Sequence, residues 1–142
     1  MVFKLNVSHK GKTYKAETEN ESIIGLNIGD NLDGSIVSED LAGFELKITG
    51  TSDKAGFAGL ENLEGPGLKK VLLGYGPGMH KKPKGERKRS TRPKGLKLRK
   101  TLRGKEISED TIQINTKVTK EGKKKFDALF AKPEPAAEEK KE

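Results

Sequence analysis

The 142 residues carry 29 Lys and Arg against 21 Asp and Glu, a formal net charge of +8. Apolar side chains make up only 31% and charged ones 35%, so one modest core under a heavily charged surface is the expectation. No apolar run approaches the ~20 residues of a membrane helix and the N-terminus lacks a signal-peptide layout, which points to a cytoplasmic protein with no membrane partner, while the lack of cysteine excludes disulfides and thiolate chemistry.

Phe3, Leu5 and Val7 alternate with Lys4 and Asn6, a half-buried strand, and Ser8-His9-Lys10-Gly11 is a turn. Thr13 to Thr18 reads as the returning strand with Tyr14 and Ala16 inward. After the polar Glu19-Asn20-Glu21, alternation resumes over Ile24-Gly25-Leu26-Asn27-Ile28. Gly29-Asp30 and Asp33-Gly34 are turn dipeptides, and Ser35-Ile36-Val37 is a short strand behind them. Phe44, Leu46 and Ile48 alternate again and end at Thr49-Gly50. Gly65-Pro66-Gly67 and Gly74-Tyr75-Gly76-Pro77-Gly78 bracket a strand from Leu68 to Leu73. Residues 79–95 are basic and rich in Pro and Gly, and an extended loop is expected there.

Leu96, Leu98 and Leu102 then point one way while Lys97, Arg99 and Arg103 point the other, because successive side chains of a strand leave opposite faces. One face should rest on the core and the other present a row of cations. Ile112, Ile114, Thr116 and Val118 form a further strand. Only 121–131 has helical spacing, with Phe126, Leu129 and Phe130 at i, i+3 and i+4. Residues 132–142 have little to bury and are expected to be a disordered tail. Short strands, Gly-rich turns and one late helix favour a mainly β fold, a small β-barrel or sandwich. A small β-barrel of antiparallel strands with a C-terminal helix would remove exposed edges and is the expectation, in a single domain over 1–131.

The charge is distributed very unevenly. Residues 1–68 carry net −5, residues 69–105 carry 15 basic side chains against one acidic, net +14, and residues 106–142 carry net −1. A field concentrated in that way suits a polyanion. The candidate contacts are Lys69, Lys70, Lys81, Lys82, Lys84, Arg87, Lys88, Arg89, Arg92, Lys94, Lys97, Arg99, Lys100, Arg103 and Lys105.

Catalytic chemistry finds little to stand on. His9 and His80 are the only histidines, neither at metal-ligand spacing from another His or a carboxylate, and both read as surface residues. Gly11-Lys12-Thr13 lacks the leading glycine of a phosphate-binding loop, since that position is Asn6, and no helix opens behind Gly74-x-Gly76-x-Gly78. No cofactor, metal or small-molecule substrate is expected, and no enzyme activity. Ser52-Asp53-Lys54-Ala55-Gly56-Phe57 reads as a structural turn in which Asp53 accepts backbone N–H bonds, Gly56 allows the bend and Phe57 anchors the returning chain.

Thr49-Gly50-Thr51-Ser52-Asp53-Lys54-Ala55-Gly56-Phe57 resembles the signature of the archaeal and eukaryotic-type small-subunit ribosomal protein S-six family. Many members continue with Pro-Met where this chain has Ala58-Gly59. The resemblance runs on through Gly65 to Leu73, through Gly95-Leu96-Lys97-Leu98-Arg99-Lys100-Thr101-Leu102-Arg103-Gly104, and into Ile107-Ser108-x-Asp110-x-x-Gln113-Ile114-Asn115. Gly85-Glu86-Arg87-Lys88-Arg89-Ser90-Thr91-Arg92 is similar to the same basic strand, and either stretch can be its counterpart; the later one is favoured because it leads directly into the Ile-Ser-x-Asp match.

The resemblance covers about residues 1–120. It implies a β-barrel constituent of the small ribosomal subunit, acting in translation, with small-subunit ribosomal RNA and neighbouring ribosomal proteins as partners. A basic DNA-binding or chromatin protein is the alternative, although no helix-turn-helix or zinc finger is legible.

Overall fold

The computed structural model describes residues 2–81, 94–122 and 126. In chain order these hold β1 (Phe3–His9), β2 (Lys12–Thr18), β3 (Asn31–Asp33), the single helical turn α1 (Gly34–Val37), β4 (Glu45–Asp53), β5 (Leu68–Leu73), β6 (Leu98–Arg103) and β7 (Thr111–Lys120). Five strands form one sheet in the order β2-β1-β7-β4-β3, and β5 and β6 form a separate two-stranded ribbon.

The alternation of the first strand is realised fully. Phe3, Leu5 and Val7 are buried, each stabilising the fold by about 1.5–3 kcal/mol through removal from water. β1 extends to His9, further than the sequence suggests, because the hairpin needs only Lys10 and Gly11. Both central residues have positive φ, 44° and 83°, the combination that matches the right-handed twist of the two strands. β7, the longest strand, lies at the centre of the sheet. It runs antiparallel to β4 and parallel to β1, so the expected all-antiparallel sheet is corrected at that pair. Parallel neighbours need a long crossover, and here nearly the whole intervening chain provides it.

The closed barrel is also corrected: the sheet is curled and its hydrogen-bonded ladder stays open. The register of β4 against β7 shifts at three places, and such bulges bend a strand and raise its twist. At one of them Thr49 drops out of register and its hydroxyl donates to the Asn115 carbonyl at 3.0 Å. The two edge strands converge on α1 without pairing. β3 runs straight into it, and the Thr18 hydroxyl at the end of β2 donates to the Ile36 carbonyl at 3.3 Å. The core fills the concave side, with Leu32, Val37, Leu41, Phe44, Leu46, Ile48, Ile114 and Val118 packed together.

Two short elements differ from the alternation read in the sequence. Glu21–Ile23 is a 3-10 turn, capped by the Asn20 side chain, which accepts from the Ser22 N–H at 3.1 Å. The following 24–28 is no regular strand: Gly25 and Gly29 at φ 90° and 106° bend it, and it makes one isolated bridge, Asn27 to Glu106, flanked by backbone bonds that join Gly25 and Leu26 to Ile107 and Ile28 to Lys105. Ser35-Ile36-Val37 belongs to α1, because the chain must turn at once beneath β4. A Cβ at Gly34 would run into the Leu41 carbonyl oxygen.

Only the two ends of the expected loop over 79–95 are described. Gly76 and Met79 close a tight turn by exchanging two backbone hydrogen bonds of 3.0 Å, and Met79 is fully buried. Residues 82–93, which include the first copy of the basic strand, lie outside the described residues. So do most of the expected helix over 121–131 and the tail 132–142. Phe126 is described and is buried, its ring 6.4 Å from that of Phe44 and 5.3 Å from that of His9.

Candidate nucleic-acid interface

Lys69, Lys70, Arg99, Lys100 and Arg103 of the basic segment are carried by the ribbon. Directly paired residues in an antiparallel pair share a face. Leu68 with Arg103, Lys70 with Thr101 and Leu72 with Arg99 therefore form one face; Lys69 with Leu102, Val71 with Lys100 and Leu73 with Leu98 form the other. Leu98 and Leu102 thus lie on the opposite side from Arg99 and Arg103. Leu96 and Lys97 precede the strand. Their inner face does not rest on the main core, as the alternation suggested; Leu102 packs beside Gly78 and Leu73, next to buried Met79, in a small second cluster. A Cβ at Gly78 would stand 2.7 Å from Leu102 Cδ2.

The outer face is open to solvent. Leu68 and Leu72 are 46% and 55% exposed, Lys70 and Arg99 are exposed between and opposite them, and Tyr75 is exposed at the ribbon's end. Lys69 is exposed and donates to the Glu64 carbonyl at 3.0 Å. Lys81, Lys94 and Lys97 are exposed, whereas Lys100 and Lys105 are half-buried. Lys82, Lys84, Arg87, Lys88, Arg89 and Arg92 lie outside the described residues.

Arg103 is the exception to the expected row of solvent-facing cations. Its side chain is 11% exposed and its Nε donates to Asp53 Oδ2 at 3.1 Å, a carboxylate only 2% exposed. Nη1 donates to the Pro66 carbonyl at 3.0 Å and lies 3.3 Å from Asp110 Oδ2. Its main chain is used as well: the N–H bonds to the Ala58 carbonyl and the carbonyl accepts from Leu60, both at 3.0 Å. This arginine fastens the ribbon to β4 and to the chain entering β7. Alternation assigns it a face correctly, but two carboxylates wait on that face.

The same aspartate organises the turn after β4. Asp53 Oδ1 accepts the Phe57 N–H at 2.7 Å, the Asp53 N–H donates to the Phe57 carbonyl at 3.1 Å, and its own carbonyl accepts from Gly56 at 3.0 Å. Gly56 has φ 82°, a conformation that suits a residue without Cβ. Ser52 pairs with Gln113 in the sheet and bridges Ala58 on the other side.

Sequence reasoning missed two features. His9 is not a plain surface residue: its ring lies against Phe126 and its Nε2 is 2.6 Å from Glu121 Oε1. Lys10 reaches the same oxygen at 3.2 Å. The Glu121 carboxyl is held below its ordinary value, chiefly by the hydrogen bond and charge of Lys10, with His9 adding to the effect. The second feature is an aromatic pair on the basic side, with the Tyr75 and His80 rings edge to face at 5.5 Å. Among the described residues no group of three or more His, Asp or Glu side chains is placed to hold a metal ion.

The family model described as Ribosomal protein S6e matches residues 3–131. The chain is 46% identical over 124 residues to the small ribosomal subunit protein eS6 of Methanococcus maripaludis strain C6, covering 86% of this chain and 90% of that relative. It is similar over 142 residues to the eS6 protein of Methanosphaera stadtmanae, at 39% identity, covering 98% of this chain and 100% of the relative. The eS6 protein of Methanothermobacter thermautotrophicus is 39% identical over 137 residues, or 94% and 99% of the two chains.

Proposed function

The chain belongs to the Ribosomal protein S6e family, a structural component and not an enzyme, and from that premise we propose that it binds small-subunit ribosomal RNA through the basic segment 69–105. It acts in translation as a structural constituent of the small subunit, among neighbouring ribosomal proteins, in the cytoplasm. Residues 1–131 are proposed as one RNA-binding domain that includes the basic segment 79–95, followed by residues 132–142. No helix among the described residues is long and apolar enough to cross a membrane.

The observation that carries the reading is the separation of charge within one chain. The net +14 belongs to residues 69–105, which supply nearly all of a ribbon separate from the main sheet, while residues 1–68, at net −5, build most of that sheet. Lys69, Lys70, Lys81, Lys94, Lys97 and Arg99 stand exposed there, and Lys100 and Lys105 lie half-exposed beside them. Lys82, Lys84, Arg87, Lys88, Arg89 and Arg92 extend the same charge run. Arg103 holds this platform in place and commits its guanidinium to the protein.

Two measurements test the proposal. Sedimentation of cell extract on a sucrose gradient should place the chain with the small subunit. Binding of the purified chain to archaeal small-subunit ribosomal RNA should weaken steeply with salt, by about 0.7–0.9 in log K per log salt for each phosphate engaged. A chain found only at the top of the gradient, or one that duplex DNA competes for as well as the RNA does, would sink it.

A further inference from the structure

A pocket of about 540 Å³ opens beside β6, between the turn that Asp53 organises and the turn closed by Gly76 and Met79. Buried Leu102, half-buried Phe57, exposed His80, and Arg99 and Lys100 are among the residues that line it. We propose that this pocket receives one unstacked nucleotide of the bound RNA, with its base against Phe57 and His80 and its phosphate at Lys100. The inference rests on the RNA-binding reading above and names a site within it.

Four features carry it. The main chain that carries the two aromatic side chains is preorganised. The Phe57 N–H and carbonyl are held by the 2.7 Å and 3.1 Å bonds to Asp53, and Asp53 is itself fixed by Arg103. His80 directly follows the doubly bonded Gly76–Met79 turn, and its ring is braced edge-on by Tyr75. A preorganised main chain loses little freedom when a ligand arrives.

The pocket also offers hydrogen bonds. The Arg103 N–H and carbonyl point away from β5, toward Ala58 and Leu60. Groups two residues apart in a strand leave by the same edge, so the Thr101 N–H and carbonyl are turned to the pocket side. A donor and an acceptor on one strand edge are what the edge of a base can take.

Shape and charge agree with this occupant. The volume lies within the range of sites that enclose a small molecule. Phe57 and His80 line it together, and single-stranded RNA is recognised by stacking of unpaired bases on Phe or His with cations nearby. A regular duplex would instead lie across the outer ribbon face, where Lys70 and Arg99 stand on an open surface.

The test uses the full chain with archaeal small-subunit ribosomal RNA. Zero-length ultraviolet crosslinking followed by peptide mass spectrometry should place a nucleotide adduct on Phe57 or His80. Phe57→Leu, which retains an apolar wall, and His80→Ala, in an exposed position outside the core, should each weaken binding by about 5- to 150-fold. Neither should change the slope of log K against log salt, because neither removes a cation that meets phosphate. If both variants bind like the parent and adducts fall only elsewhere on the ribbon, the pocket proposal is overturned while RNA binding stands. If the parent chain itself does not bind the RNA, both readings fall together.

Discussion

Replacing Arg103 by Met separates two physical roles that one arginine on a basic strand could play. As a phosphate ligand, its loss would leave folding untouched and lower the salt slope of RNA binding by about 0.7–0.9. The structure assigns it the other role. The bond to Asp53 joins two side chains that are 11% and 2% exposed, and removing one partner of such a pair typically costs about 3–5 kcal/mol, since the remaining charge stays buried without compensation. The ion pair with Asp110 is different. That carboxylate is 61% exposed, and surface pairs contribute about 0–1 kcal/mol. Arg103→Met should therefore lose about 3–5 kcal/mol in urea unfolding, and Asp110→Ala less than about 1 kcal/mol. Asp53→Asn should fall near the arginine variant, and the double variant should cost clearly less than the sum of the two, because neither charge is then stranded. If Arg103→Met unfolds within about 1 kcal/mol of the parent with an unchanged m-value, the fastening role is wrong and the arginine is a phosphate ligand after all.

The exposed cations should behave in the opposite manner. Lys97→Ala with Arg99→Ala should shift urea stability by no more than about 0.5 kcal/mol and lower the RNA salt slope by about 0.7–0.9 for each phosphate that the parent side chains neutralise; an unchanged slope would show that they meet no phosphate. Phe126→Ala removes a buried ring from against Phe44 and His9 and should cost about 3–5 kcal/mol by thermal or urea unfolding, a loss below about 1 kcal/mol being incompatible with that burial. Glu121 has a lowered folded pKa, so its stabilising contribution is complete above the ordinary glutamate value of about 4.3 and disappears as pH falls through the lower folded value. Glu121→Gln should flatten that part of the acid limb, and an identical acid profile in the variant would contradict the lowered value.

Long strands with one buried face were legible because period-two alternation is a direct imprint of burial. Phe3, Leu5 and Val7, then Leu46 and Ile48, then Ile114 and Val118 all lie where the pattern puts them. The short elements misled for a local reason. Ile24, Leu26 and Ile28 alternate, yet Asn20 caps a 3-10 turn just upstream and two glycines with positive φ bend the segment. Pairing was illegible where it is remote in sequence: nothing near Lys4 announces Gln113 as its parallel neighbour. Arg103 combines both situations. Its face could be read from its own strand, but Asp53, its buried partner, lies fifty residues away. The turn role of Asp53 itself was legible, since its bonds to Gly56 and Phe57 are local.

The place of β7 in the sheet also bears on how the chain folds as it is made. The strand that joins the β1–β2 hairpin to the β3–β4 pair is the last of the seven to leave the ribosome. Until residue 120 has emerged, β1 and β4 each lack the neighbour that β7 supplies, and β5 and β6 have already been made. The basic segment 69–105 is thus synthesised ahead of the strand that completes the sheet. A chain arrested before Thr111 lacks the centre of its sheet, not its rim, so the five-stranded sheet can form only after β7 is made.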